Sequence, residues 1–380
     1  MKELIQIYDE FIQRFIKAID QADPGESDTR YRVSTTYIQE EQDIELLRRF
    51  NDVLAQLNLG RLIIEGSIAG EISFADLTLS RVENDEIRIV VDKNNDGFVY
   101  FLSVDGFVDF LQHDNNLRDY SIIYINREFD RFSTCTNHYL SLSLFSKESH
   151  SEIDSYFEGL KDPKVLIRDR ANSLYITPRN VSNWYLTKNG EDSQVLREWK
   201  KIASQKLSLS LPLQLIEEEG DLYAVFKDEN YYSFKFKDND STVWENSYKA
   251  ICDASYWIYK NKEEAESKHR LLNHQLAVEW SDEISFPEGD KILRSLSNAK
   301  RAYDLHLHDS SKEVLKSMTD LRKTLFEEVE RVKETTRNLS DKLWRDFAIA
   351  LGVLVIRFVP NLSSIPKEYL NMLAYGTAIF

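Results

Sequence analysis

The sequence predicts an α+β protein: a body of mixed and antiparallel sheet with helices, then long α-helices, then an apolar helical end. Three observations carry this expectation. From Arg61 to about residue 237, apolar residues recur mostly at every second position, the period of a half-buried strand. Beyond Thr242 they recur at threes and fours, the helical period. From Phe347 onward charged residues almost vanish.

The elements follow in chain order. Ile5, Phe11, Ile12, Phe15, Ile16 and Ile19 mark an amphipathic first helix, stopped by Asp23-Pro24-Gly25. Ile44, Leu47, Val53, Leu54 and Leu57 mark a second, closed by Gly60 in the usual C-terminal position. Residues 61–68, 71–80, 86–92 and 98–104 then read as four strands separated by Gly, Asn and Asp turns. Gly106–Leu111 reads as a short helix, 120–126 and 138–145 as strands, Ser151–Leu160 as helix, and 174–178 and 181–187 as short strands. A helix over Asp192–Gln205 precedes three antiparallel strands at 206–217, 221–228 and 231–238. Their turns are Glu219-Gly220 and Asp228-Glu229-Asn230. Thr242 to Trp280 reads as one long helix through Trp244, Tyr248, Ile251, Cys252, Ile258, Leu272 and Leu276. Phe286-Pro287-Glu288-Gly289-Asp290 breaks it, and helix resumes at Ile292. We therefore expect a body at 1–285, a helical stalk at 286–346 and an apolar segment at 347–380.

Composition excludes several function classes. A length of 380 residues suffices for two domains and a sizeable core. The net charge of −16 argues against a general nucleic-acid binder, which needs Lys and Arg for phosphates. Two cysteines, Cys135 and Cys252, form no disulfide framework and fit a reducing compartment. The N-terminus carries acids where a signal peptide needs an apolar core.

No catalytic signature stands out. Phosphate-loop, dinucleotide, nucleophile-elbow and CxxC motifs are all missing from the sequence. Asp92, Asn94, Asp96 and Gly97 open like a calcium loop, but Ser103 stands where its bidentate carboxylate belongs, so a hairpin turn is expected. Asp304, His306, His308 and Asp309 give an H-x-H pair like that of amidohydrolase-like barrels, yet on a helix the two rings diverge. His269 and His274 are five apart, which misses the i, i+4 spacing of a shared zinc. Glu198 and Lys200, after Glu191 and Asp192, resemble the dyad of restriction-type nucleases, but on a helix rather than a strand. Cys135 and His138 are close in sequence only. We expect no cofactor and no bound metal.

The informative stretch is the long charged helix. Val314, Met318, Leu321, Leu325, Val329, Val332, Thr336, Leu339 and Leu343 form one stripe. Ser310 and Glu313 fit a capping box, and a helix from Ser311 to Phe358 would be roughly 70 Å long. So narrow a stripe needs a partner helix, from this chain or another copy. We take Met318, Leu321, Leu325, Val329, Val332 and Leu339 as a self-association seam. Phe347–Val359 is interrupted only by Arg357, with Phe347, Leu351, Leu354, Ile356 and Phe358 as the expected membrane segment. Thirteen residues cover about 20 Å of an apolar slab about 30 Å thick, so a buried hairpin in a soluble protein stays open. Arg331, Lys333, Arg337, Lys342 and Arg345 precede the run, which puts the body on the cytoplasmic side of an inner membrane. A second apolar run ends at Phe380 without a cap, so we expect the natural chain to continue.

By architecture alone this layout resembles bacterial membrane-tethered defence or stress effectors. It implies a non-enzymatic, self-associating sensor with a cytoplasmic body, acting against phage by perturbing the membrane. A soluble scaffold subunit of a complex and a diverged nuclease or hydrolase are the alternatives.

Overall fold

The computed structural model describes residues 1–16, 25–36, 38–68, 70–82, 85–113, 117, 119–145, 160, 162–170, 177–178, 180–226, 233–236, 241–280, 285–358, 368 and 371. The fold is α+β, with three five-stranded sheets among the described residues. The chain divides into two units, Met1–Asp304 and Leu305–Phe380. The Ser151–Leu160 helix, except for Leu160, lies outside the described residues. So do the Asp228-Glu229-Asn230 turn and nearly all of the second apolar run.

The first layer of the body is helical. Helix α1 (Lys2–Phe11) runs into a π-helical turn at Ile12–Ile16 and packs beside α2 (Glu41–Gln56). Arg14 holds the two together: its Nε donates to Asp43 Oδ1 and its Nη2 to Glu40 Oε2, both at 2.6 Å. Asp43 Oδ2 also caps α2 by accepting from the Glu40 amide. Beneath these helices lies the first sheet, ordered β1 (Gly25–Glu26), β2 (Arg30–Thr36), β5 (Ile87–Lys93), β3 (Gly60–Gly66), β4 (Gly70–Ile72) and antiparallel at every pairing. Leu4, Ile7, Phe11, Leu47, Phe50, Ile64 and Ile89 fill the core between.

The second sheet is shared between two cores. Its order is β11 (Leu186–Lys188), β8 (Phe132–Thr134), β9 (His138–Ser141), β7 (Ile122–Ile125), β6 (Phe98–Phe101). Pairings β9–β7 and β7–β6 are parallel, the others antiparallel. Successive strand residues point to opposite faces. Phe98, Tyr100, Ile122 and Tyr124 therefore join the core under the first sheet. Val99, Phe101, Ile123 and Ile125 join the second core, against α4 (Val104–Gln112), α5 (Gln194–Ser208), α6 (Ser241–Tyr259) and α7 (Ala265–Glu279). Both faces of β6 and β7 are buried, which is why these strands read as unbroken apolar runs.

The third sheet is β10 (Arg168–Arg170), β12 (Gln214–Glu218), β13 (Asp221–Val225), β14 (Ser233–Phe236), β15 (Ser285–Phe286). Its centre is antiparallel as expected, but both edge strands pair in parallel. Helix α8 runs from Gly289 to Phe358, and its first turns belong to the body: Ile292, Leu296, Ala299 and Tyr303 are buried.

Four local expectations are corrected. Residues 206–213 are not strand: α5 continues to Ser208, and turns lead to β12 at Gln214. Leu207, Leu209 and Leu211 are buried, but so are Ser208 and Ser210. Each serine hydroxyl donates to a nearby carbonyl, Ser208 to Gln205 and Ser210 to Leu207, so burial leaves it satisfied. Residues 71–80 give only the short β4 and then a helical turn, α3 (Leu79–Val82). Val181–Trp184 is a 3₁₀ turn capped by Asn180, with strand only at β11. The helix across 242–280 is two helices, parted at the polar run Lys260–Glu264, where Asn261 Oδ1 accepts from the Glu263 amide.

One buried ion pair ties the first two sheets. Lys93 Nζ donates to Glu26 Oε1 at 2.7 Å, and both side chains are 0% exposed. Replacing Lys93 by Met or Glu26 by Ala leaves the other charge buried alone. We expect each to lower the unfolding free energy by about 3–5 kcal/mol in urea titrations. Gly106→Ala is expected to act in the same direction, because its methyl group would collide with the Glu26 side chain.

Candidate functional site

The catalytic candidates scatter. Asp92 lies between two guanidinium groups, Arg30 at 3.6 Å and Arg61 at 3.5 Å, so it is neutralised by arginines rather than free for a cation. The turn after it, with Gly97 at φ 73°, is not a hairpin: it joins β5 of the first sheet to β6 of the second. Glu198 and Lys200 lie on α5, and the Glu198 carboxylate is 3.9 Å from Lys201. His306 and His308 are exposed on α8, with His308 Nδ1 3.9 Å from Asp309. His274 is exposed on α7 while His269 on the same helix is buried, so they share no site. Among the described residues, no group of three or more His, Cys, Asp or Glu could hold a metal ion.

Cys135 and His138 do not pair. The thiol of Cys135 faces the Tyr185 carbonyl at 3.6 Å, while His138 Nδ1 meets Ser133 Oγ at 2.8 Å. Burial pushes the Cys135 thiol up to about 12 and that of Cys252 up to about 11. Neither is a thiolate near neutral pH, so neither is an activated nucleophile.

What remains is the surface of α8 beyond Leu305. Near the end of the body, Tyr303 on this helix is edge-on to Trp257 at 6.0 Å with the Lys268 ammonium 5.2 Å from its ring. From Leu305 the helix continues unbroken to Phe358, about 80 Å at about 1.5 Å per residue. Met318, Leu321, Leu325, Val329, Val332 and Leu339 are each 55–63% exposed. At about 100° per residue they fall within an arc of about 80°. Charged side chains cover most of the remaining circumference. Hydroxyls on the helix bond back one turn: Thr319 to Leu315, Thr324 to Asp320, Thr335 to Arg331 and Thr336 to Val332. They are thereby satisfied without a partner chain.

The surface changes character near Trp344. Trp344 and Phe347 meet edge-on at 5.9 Å. Phe347 and Leu354 continue the stripe, Leu351 and Val353 flank it on either side and Ile349 lies towards the opposite face, and all five are exposed. The apolar surface thus stops being a stripe and encircles the helix. The side chains of Ile356 and Phe358 lie outside the described residues, although the helix passes through both positions. Among the described residues, no helix is long and apolar enough to cross a membrane. The sequence showed the stripe through its spacing. It could not show how exposed each residue of the stripe is.

One titration follows from His269. Burial drives its imidazole down to about 4, whereas an unfolded chain titrates near 6.5. Between those values the unfolded chain takes up the proton and the folded one does not. Stability is therefore expected to fall by about 3 kcal/mol as pH drops from 6.5 to 4. His269→Asn should flatten that slope in urea titrations run across the range.

No protein-family model, curated protein or solved structure matches this chain.

Proposed function

We propose that this protein works by assembly rather than catalysis: copies associate through the stripe on α8, and the apolar end of that helix attaches the assembly to a membrane. The body, Met1–Asp304, would face the cytoplasm as the sensing part. The carrying observation is that Met318, Leu321, Leu325, Val329, Val332 and Leu339 are all exposed along one line. Helices owe most of their stability in water to packing an apolar face, and this face has nothing packed on it among the described residues. Contiguous exposed apolar surface of this kind marks interaction sites. The apolar girdle at Phe347–Leu354, which carries no charged residue, fits the acyl layer better than it fits one partner helix, because it has no polar face to leave in water. The setting, anti-phage or stress defence at the inner membrane, rests on likeness of layout alone.

The test is direct. Leu321→Asp with Leu325→Asp should reduce the light-scattering mass to that of a monomer while the circular dichroism of the body persists. Lys323→Ala with Glu330→Ala, which removes charges off the stripe, should leave the mass unchanged, since exposed charges contribute about 1 kcal/mol or less. A wild-type protein that is monomeric at micromolar concentration would overturn self-association. Phe347→Asp with Leu351→Asp should prevent flotation of the full chain with anionic phospholipid vesicles. Wild-type protein that stays at the bottom of the gradient would overturn membrane attachment.

A further inference from the structure

A second surface lies in the body. On the second sheet Lys188 pairs with Ser133, Ser133 with His138, and His138 with Ile122. Residues directly opposite on adjacent strands share a face, so these four form a row across β11, β8, β9 and β7. The row lines a cavity of about 320 Å³, together with Arg131, Tyr124, Leu140 and Leu144. That volume is within the range of small-ligand sites.

The polar part of the cavity is cationic or a hydrogen-bond donor. Among the described residues, no carboxylate lines it. Arg131 and Lys188 form no ion pair among the described residues, in a chain whose net charge is −16. Ser133 is buried, and its Oγ lies 2.8 Å from His138 Nδ1. With Ser133 donating to Nδ1, the neutral ring carries its proton on Nε2. Burial, and then the charge of Arg131, hold the imidazole below its ordinary pKa, which favours the neutral ring. Two positive charges and the His138 ring thus line a cavity whose other lining residues, beside Ser133, are Ile122, Tyr124, Phe132, Tyr139, Leu140 and Leu144. A planar guanidinium next to an ammonium suits a phosphate or carboxylate. The apolar wall suits an organic group attached to it.

We propose that this cavity binds a small organic anion, its phosphate or carboxylate held by Arg131, Lys188 and His138 and its apolar group against Tyr124 and Leu140. The site does not involve α8, so its failure would leave the assembly reading standing, and the reverse holds too.

The experiment uses the whole chain and three probes: phenyl phosphate, benzoate and inorganic phosphate. Each is titrated by calorimetry, with the His138 ring followed by ¹⁵N-edited NMR. Expected is saturable one-to-one binding of phenyl phosphate or benzoate that shifts the His138 signal, at least about tenfold tighter than inorganic phosphate. Whichever organic anion binds tighter assigns the anionic group. Arg131→Ala and Lys188→Ala, at exposed positions, should each weaken that binding by about tenfold or more without changing the thermal transition. Absence of saturable binding by both organic anions at millimolar concentration overturns the proposal. So does binding equally strong in the two variants, or binding that leaves the His138 signal in place.

Discussion

The body depends on one buried charge pair. Glu26 ends a two-residue strand and would be a surface carboxylate if that strand were not drawn inward. Its Oε1 accepts from Lys93 Nζ and from the Leu102 amide, and its Oε2 from the amide and hydroxyl of Ser103. Lys93 uses its other protons on the carbonyls of Ser27 and Tyr100. Burial alone depresses the Lys93 ammonium, and the Glu26 charge opposes that shift. Ser103 in turn caps α4 by accepting from the Gly106 amide. A strand of the first sheet, the end of β5, the exit from β6 and the start of α4 therefore meet at two side chains. Pairs like this add little net stability over an apolar pair, but they fail badly when half of one is removed. In this arrangement both Glu26 oxygens and the Lys93 ammonium find their partners.

Much of the fold was legible because period follows burial. The helices α1, α2 and α5 and the strands β3, β5, β6 and β7 were read from spacing: Phe11 and Phe15, and Ile44, Leu47, Val53 and Leu54, are buried as expected, whereas Ile5, Ile12 and Ile16 are only half-buried and Leu4, Ile7 and Tyr8 also fill the core. Failures came where polarity and burial part company. Alternating Ser and Leu at 207–211 mimicked a half-buried strand, although serines whose hydroxyls bond to their own turn can be buried on any face. The break at Lys260–Glu264 carries neither Gly nor Pro, so nothing in composition marked it. Sheet membership was never legible. The turn at Asn95-Asp96-Gly97 has hairpin chemistry, yet it moves the chain from one sheet to another.

The two surfaces differ in legibility for the same reason. The stripe on α8 is local, since residues three and four apart on one helix are neighbours wherever that helix goes. The cationic cavity is not local. Arg131 directly precedes β8, His138 stands on β9 and Lys188 on β11, and they line one cavity because β8 lies between β9 and β11. His138 attracted notice beside Cys135, its near neighbour in sequence, whereas its hydrogen-bond partner is Ser133 across the sheet. No spacing rule finds such a set before the strand order is known.

Strands β6 and β7 have one further consequence. A strand with a solvated face leaves every second position open to drift. Phe98–Phe101 and Ile122–Ile125 have no such position: each side chain is structural to one core or the other. A void made on one side removes support from a backbone that also floors the opposite side. Slack therefore cannot stay confined, and the two cores are expected to melt as one cooperative block instead of in sequence. A body built this way resists being cut at its middle. It also gives whatever touches the β6 edge of the sheet a stiff path to both cores at once.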